Sequence, residues 1–186
     1  MTDLPTRKQC MELLDEHEVP ENVRKHSFCV NKVAVFLARR LKEKGIDIDV
    51  ELVDRASLLH DLDKIATLGQ GNHGQLSKKI LSERGYKRLA DIVGNHVFEA
   101  VLDENLSTWE DKVVNYADKR CTEDKIVSLD GRFAYGRKTY PNHDIDKTEE
   151  AESLFRSLEK EIFNIIGLDP NSLGEYVESE VKQRDN

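Results

Sequence analysis

The stretch that organises this chain is Ala56-Ser57-Leu58-Leu59-His60-Asp61, in which an apolar run ends in a histidine and an aspartate. Ala56, Leu59 and His60 fall at helical spacing, so His60 continues the apolar face of a predicted helix. A buried imidazole beside a carboxylate loses hydration, and it must be hydrogen-bonded, ion-paired or bound to a metal to offset that loss. Which of these applies depends on the other polar residues that face inward.

Helical periodicity recurs along the chain, whereas no stretch of four or more residues alternates cleanly as a half-buried strand does. Thr6 with Gln9 and Ser107 with Glu110 have the spacing of capping boxes, which open helices. Gly167 suits the end of a long C-terminal helix. The sequence therefore predicts an all-α protein.

The predicted helices show no internal repeat and no domain boundary between them. They run from Thr6 to about Glu18, from Pro20 to Gly45, from near Asp49 to His60-Asp61, from about Gln75 to Arg84, from Lys87 towards His96, from Ser107 through Cys121, and from Pro141-Asn142-His143-Asp144 to Ile166, with a short helix after Pro170. We expect a single-domain helical bundle over residues 1–186. Its motif-bearing core spans about 20–140, and the C-terminal helices at about 144–182 pack on that core.

The charge of the chain restricts the kinds of partner. A net charge of −8 argues against binding along a nucleic-acid backbone, because that affinity comes from clustered lysine and arginine. It leaves open a small anionic substrate that is held by a few local cations. We expect no extended nucleic-acid binding.

Cysteine usage and hydropathy indicate the compartment. The three cysteines, Cys10, Cys29 and Cys121, are odd in number and far apart, with no Cys-x-x-Cys pair, as is typical of a reduced cytoplasmic protein. The N-terminus does not resemble a signal peptide, and no apolar run approaches membrane-spanning length. We expect a soluble cytoplasmic protein that does not associate with a membrane.

Three further polar groups share inward faces with apolar residues. His26 lies on the helical stripe of Val23 and Val30, and Asp118 follows Val114 by four residues. Together with His60-Asp61 they supply imidazole nitrogens and carboxylate oxygens, which suit Zn, Fe, Mn, Co or Ni. Four such groups from three helices can converge only inside a bundle, where metal sites are commonly built.

His73 and His96 form a second tier of candidate ligands. His73 lies in the loop that contains Gly69, Gly71, Asn72 and Gly74, and His96 follows an apolar helix. Four histidines and two aspartates are too many ligands for one tetrahedral ion but suit two. A bridging carboxylate could then hold two metals about 4 Å apart, a geometry that activates water and stabilises a phosphoryl oxygen.

A structural role is the alternative for each of these residues. The His-Asp dipeptide is weak by itself, because His143-Asp144 is a second one, in a polar turn where Asn142 or Asp144 suits a helix cap. His26 alone could be a core histidine bonded to a backbone carbonyl, and Asp118 could pair with Lys119. The ordered occurrence of all these residues on inward faces favours the metal site.

His26, then His60-Asp61, then Asp118 in Asn115-Tyr116-Ala117-Asp118 resemble the HD superfamily of metal-dependent phosphohydrolases. The resemblance covers roughly Val23 to Tyr140, and residues 56–64 closely match the central motif of that family. His73-Gly74 and His96 fit a subset with additional histidines and a binuclear site, which includes bacterial symmetrical diadenosine tetraphosphate hydrolases. There the segment between His-Asp and His-Gly is longer, and the substrate does not carry over.

The resemblance implies a helical bundle of the HD-domain type and a role for each ligand. His26, His60, Asp61 and Asp118 would hold a first divalent metal, His73 and His96 would hold a second, and Asp61 would bridge the two and serve in water activation. Fe, Mn, Zn, Co and Ni are all candidates, Mg is a further one, and one or two ions fit. Lys64 would contact the substrate phosphate or stabilise a carboxylate; a solvated lysine at a helix end is the alternative.

The implied function is a phosphohydrolase in which a metal-bound water or hydroxide attacks the phosphorus of a nucleotide or related small phosphoester. Arg120, Arg132, Arg137 and Lys138 are candidates for gripping the phosphate, with surface salt bridges as their alternative. Phe133, Tyr135 or Tyr140 could stack on a base or pack in the core. A non-catalytic metal- or ligand-binding module and a di-iron oxygenase or lyase remain open, as does homo-oligomer formation through the long C-terminal helix.

Overall fold

α-Helices make up nearly all the regular structure of residues 4–68, 72–103, 105–139 and 144–184, which the computed structural model describes, without the side chains of Glu99 and Arg184. Tyr140, Pro141, Asn142, His143, Gly69 and Gly71 lie outside the described residues. The helices are α1 (Arg7–Glu16), α2 (Glu21–Glu43), α3 (Val50–Leu59), α4 (Gln75–Glu83), α5 (Lys87–Gly94), α6 (Glu99–Leu102), α7 (Trp109–Lys119), α8 (Leu129–Thr139), α9 (Ile145–Ile166), the 3-10 helix Pro170–Ser172 and α10 (Leu173–Arg184). The prediction of an all-α fold is confirmed.

Helix α2 is the centre of the bundle. Its apolar stripe, which includes Val30, Val33 and Leu37, is fully buried, and it packs against α3, α7, α9 and α10. This wide apolar face is what an amphipathic helix needs to bury against several neighbours. Since α2 carries His26, the packing of α3 and α7 against α2 brings all the first-tier candidates together.

Most helix ends lie where the sequence predicts them. Thr6 and Gln9 form the expected capping box at the start of α1, and Asp144 caps α9 by accepting a hydrogen bond from the Lys147 amide. Gly167 ends α9 in the left-handed conformation, at φ +70°. Of the two residues considered for the α9 cap, Asp144 therefore has this role.

The predicted capping box of Ser107 with Glu110 is wrong by one residue. Thr108 and Asp111 form the box, so α7 begins at Trp109. Glu110 instead accepts a hydrogen bond from the backbone amide of Asp49 at 2.7 Å, which ties the start of α7 to the start of α3. A long-range contact that the local spacing does not encode has taken the side chain.

A two-residue hairpin departs from the expectation of no strands. Strands β1 (Cys121–Thr122) and β2 (Lys125–Ile126) pair antiparallel around a turn in which Glu123 has φ +54°. Two residues per strand are too few to produce a readable alternation. The segment that follows, described in the sequence only as basic and aromatic, forms α8, with Leu129 and Phe133 as its buried residues.

The C-terminal helices contact the rest of the bundle. Helix α9 packs against α2, α6, α7 and α8, and the Phe36 ring on α2 stacks on Tyr176 of α10. Arg137 on α8 binds Glu152 on α9 at 2.7 Å. Within the described ranges, no helix combines the length and apolar character that crossing a bilayer requires.

Candidate metal centre

His60 lies just past the end of α3 and is fully buried. Its Nδ1 donates a hydrogen bond to the Ser57 carbonyl oxygen at 2.8 Å, which leaves Nε2 with a free lone pair. This Nε2 is buried and has no hydrogen-bond partner among the described residues. Burial lowers the pKa of His60 to about 4, so the ring is neutral at pH 7. A neutral imidazole with an unsatisfied lone pair suits a metal ligand.

Three other donor atoms surround His60 Nε2 and complete a first group. Asp61 Oδ2 lies 3.6 Å away and Asp118 Oδ1 3.8 Å away. His26 Nε2 lies 2.9 Å from Asp118 Oδ1 and 4.0 Å from Asp61 Oδ2. Nitrogen and oxygen ligands about 2.1 Å from one ion are separated by about 3–3.5 Å, so these four atoms come close to that spacing.

His26 and Asp118 are oriented by contacts outside the group. His26 Nδ1 lies 3.1 Å from the Glu123 carbonyl oxygen at the tip of the hairpin, so the hairpin fixes the ring. Burial by itself would raise the pKa of Asp118, but the Lys119 ammonium and the hydrogen bond with His26 hold that pKa well below its usual range. The carboxylate is therefore ionised and ready to bind a cation.

A second group lies on the other side of Asp61. Asp61 Oδ1 is 3.0 Å from His73 Nε2 and 3.6 Å from His96 Nε2, and the two nitrogens are 2.9 Å apart. His96 donates through Nδ1 to the Val93 carbonyl oxygen, and His73 Nδ1 faces Asp63 at 2.7 Å. Both Nε2 lone pairs thus converge on one point, where a proton or a metal ion prevents their repulsion.

Asp61 belongs to both groups, and each of its oxygens faces one of them. The groups His26, His60, Asp61 and Asp61, His73, His96 each place one ligand atom per residue within 4.8 Å of the others. Burial alone would raise the pKa of Asp61, yet the charge on His60 and hydrogen bonds from His73 and His96 hold the pKa well below its usual range. The donor set and the unsatisfied His60 Nε2 fit two ions that share Asp61.

The two groups lie at the floor of a cavity of about 850 Å³. Four side chains that carry positive charge line it, namely Lys64, Lys119, Arg132 and Arg137. Phe98, Phe133 and Ile145 add an apolar part to the wall. A concave, mostly apolar space with a few converging polar groups is typical of small-molecule sites.

The structure separates the predicted phosphate-binding residues. Arg132 and Arg137 line the cavity, whereas Lys138 is exposed and does not. Lys64 lies at the cavity with its Nζ 3.1 Å from Asp61 Oδ1, which agrees with the prediction that it stabilises a carboxylate. Arg132 Nε is buried and has no hydrogen-bond partner in the part of the chain that the structure describes.

Arg120 does not reach the cavity. Its guanidinium is buried and binds the Glu159 carboxylate at 2.9 Å, the Tyr116 hydroxyl and the carbonyl oxygens of Val127 and Pro170. These contacts use the side chain to join α7 to the C-terminal helices. The structural alternative therefore applies to Arg120.

The sequence gave no sign of several residues that support the ligands. Asp63 and Asn115 bond to His73 and to the backbone beside His96, respectively. Lys119, considered only as a partner of Asp118, forms that ion pair and also lines the cavity. The spacing Asp61-x-Asp63 was the one local signal, and it does not reveal which histidine Asp63 contacts.

Metal binding to the second group should release a proton near neutral pH. Burial lowers the pKa of His73, but hydrogen bonds with Asp61 and Asp63 raise it by more, to about 9 from an ordinary 6.5. Because a metal must displace that proton, affinity should rise as the pH increases towards about 9. Calorimetric titration with Co²⁺ at pH 7.5 in buffers of different ionisation enthalpy measures the protons released.

The same shift gives a stability prediction for the metal-free protein. The folded pKa of His73 lies above the unfolded one, so its charge stabilises the fold fully below about pH 6.5, and this contribution is lost as the pH rises through about 9. Heats of Co²⁺ binding that are the same in all buffers would contradict the protonated state of His73.

Comparisons with known proteins agree with this arrangement. A family model described as the HD domain matches residues 23–128. An uncharacterized protein of Methanocaldococcus jannaschii is 34% identical over 123 residues, which cover 59% of this chain and 72% of the relative. No solved structure matches the chain. The family match contains every candidate ligand, whereas α8 and α9, which form part of the cavity wall, follow it.

Proposed function

This chain belongs to the HD domain family, and on that premise we propose that it is a metal-dependent phosphohydrolase acting on a nucleotide or a related small phosphoester. One observation carries the proposal. Asp61 directs one oxygen to each of two ligand groups at the floor of a cavity that is lined by cationic side chains. A carboxylate shared by two ligand groups is typical of sites that hydrolyse phosphoesters.

In this proposal His26, His60, Asp61 and Asp118 hold one divalent ion, and Asp61, His73 and His96 hold the other. When bound, such ions lower the pKa of water and neutralise charge on a phosphoryl group. Histidine nitrogen with carboxylate oxygen is the donor set of Zn, Fe, Mn, Co and Ni, whereas Mg prefers sites built of oxygen alone. We therefore propose a transition metal as the native ion.

Positive side chains at the cavity are suited to the substrate phosphate. Arg132 is the strongest candidate, because its buried Nε lacks a hydrogen-bond partner within the described residues, and an arginine can bind phosphate through two N–H groups. Arg137 also lines the cavity, but its guanidinium binds Glu152 at 2.7 Å. Lys119 is engaged by Asp118, so its charge acts mainly on the metal ligand.

The rest of the cavity suits the organic part of the substrate. Phe98, Phe133 and Ile145 present apolar surface to the space beyond the ligands. A volume of about 850 Å³ lies within the usual range of small-molecule pockets, which agrees with a single small phosphoester. Since α8 and α9 supply Phe133 and Ile145, we propose that these C-terminal helices belong to one domain with the motif-bearing core.

The test of this proposal is a screen for hydrolysis of phosphomonoesters and phosphodiesters, including a broad panel of nucleotides. Protein stripped with a chelator is reloaded with Mn²⁺, Fe²⁺, Co²⁺, Ni²⁺, Zn²⁺ or Mg²⁺ before each assay. We expect release of phosphate or of the alcohol only in reloaded samples. Protein that binds metal but is inert with every substrate would instead favour the non-catalytic ligand-binding module.

Arg132→Ala should lower kcat/KM for whichever substrate the screen identifies by about 10- to 100-fold, because a hydrogen bond to a charged group is worth about 1.5–3 kcal/mol. Arg137→Ala should have a smaller effect, since Glu152 already binds that guanidinium. Lys138→Ala is the matched control, because this exposed residue does not line the cavity. Steady-state kinetics of the three variants check the order, and equal losses in Arg132→Ala and Lys138→Ala would contradict it.

A further inference from the structure

Asp63 is the anchor of the segment that carries His73. Its side chain is fully buried, and Oδ1 accepts from His73 Nδ1 at 2.7 Å and from the Gly74 amide at 3.2 Å. Oδ2 accepts from the Ser77 amide at 2.9 Å, in the first turn of α4. One carboxylate therefore fixes both the ring of His73 and the start of the helix that follows it.

This anchor has a specific task, because His73 lies before α4 and not within a helix. Gly74 has φ +81°, and a Cβ there would lie 3.0 Å from a Val97 side-chain carbon and 3.3 Å from the Gly94 carbonyl oxygen. The backbone therefore passes close to the segment of His96 at this point. With Nδ1–H bound to Asp63, the Nε2 lone pair of His73 points towards Asp61.

Asn115 has the corresponding position next to His96. It lies on α7, three residues before Asp118, and is fully buried. Its Nδ2 donates to the carbonyl oxygen of Asn95 at 2.7 Å and lies 3.4 Å from that of Val97. These carbonyl groups flank His96 on both sides, so α7 fixes the backbone from which this ring extends.

We infer that Asp63 and Asn115 are positioning residues that hold His73 and His96 for the second metal ion, and so decide whether the site binds two ions or one. The inference rests on the proposed metal centre. Both residues come from segments that also carry ligands of the first group, two residues after Asp61 and three before Asp118. Hydrogen-bond partners of metal ligands fix ring orientation and raise ligand basicity, and their loss costs about 10- to 100-fold in affinity.

The experiment is a stepwise titration of metal-free full-length protein with Co²⁺, followed by calorimetry and by the visible spectrum of the bound ion. Asp63→Asn and Asn115→Ser should each weaken the second binding step by about 10- to 100-fold and leave the first within about threefold of the unmodified protein. Asp49→Asn is the control for loss of a helix-capping aspartate, since Asp49 caps α3 without touching a ligand. It should retain both steps.

The outcomes separate the inference from the proposed function. Unmodified protein that binds no Co²⁺ overturns the metal centre itself. If it binds two ions and both variants do so with unchanged affinity, the positioning role is overturned and the metal centre stands. Equal weakening of both steps in a variant that circular dichroism shows to be folded also overturns the inference, because a general structural role would act on both sites. The variants act on different histidines, so each tests the inference independently.

Discussion

Asp61→Ala is expected to remove metal-dependent hydrolysis while leaving the helical fold intact. Asp61 supplies an oxygen to each ligand group, so its loss opens both metal sites at once. A metal ion contributes several kcal/mol to a hydrolytic transition state, and each 1.4 kcal/mol is tenfold in rate. The rate should therefore fall by at least about 1,000-fold, and the metal content should fall from about two ions per chain towards none.

Elemental analysis, initial rates and circular dichroism of the same preparation check this result. Asp144→Ala is the matched control, because Asp144 belongs to the other His-Asp pair of the sequence and caps α9. It should cost about 1 kcal/mol of stability and retain the bound metal. If Asp61→Ala retained both ions and full activity, Asp61 could not be the shared ligand.

Removal of metal by a chelator is expected to lower the melting temperature substantially. Ions that bind only the folded chain stabilise it by mass action, by about 4 kcal/mol when the free ion is 1,000-fold above its Kd. For a chain of 186 residues this corresponds to roughly 8–16 °C. In the metal-free protein the lone pair of His60 Nε2 has no hydrogen-bond partner among the described residues, which explains part of the difference.

Thermal melts of chelated protein, before and after addition of Co²⁺ or Mn²⁺, measure the shift. Asp61→Ala serves as the control here, since a variant that cannot share a ligand between the groups should show little response to either ion. A melting temperature of the unmodified protein that does not respond to any divalent transition metal would argue for a bundle that holds no resident ion.

Much of the fold follows from local sequence patterns. The stripe of Val30, Val33 and Leu37 predicts α2 and its buried face, and the Thr6 and Gln9 pair predicts the start of α1. Helix periodicity and capping act over three or four residues, so they can be read without knowledge of the fold. Where a distant group intervenes, as Asp49 does with Glu110, the local pattern misplaces the boundary.

The chemistry of the site was also predictable in kind. His26, His60, Asp61 and Asp118 stand out because a polar residue on an apolar stripe needs a partner, and the order of the four resembles one family. The structure brings these side chains together. The basic residues were less predictable, because arginine is equally suited to a structural ion pair and to a phosphate. Arg120 and Arg132 look alike in the sequence and lie in different environments.

The sequence by itself therefore determined the helical class, the identity of the ligand atoms and the central position of His60-Asp61. Only the tertiary structure decided that the two oxygens of Asp61 face different groups, that Arg120 is structural and that Asp63 and Asn115 support the second group. The physical reason is one of range. Periodicity fixes which face of a helix a side chain occupies, whereas a coordination site depends on distances of about 3 Å between atoms of different elements. Those distances are set by how α2, α3, α5 and α7 pack.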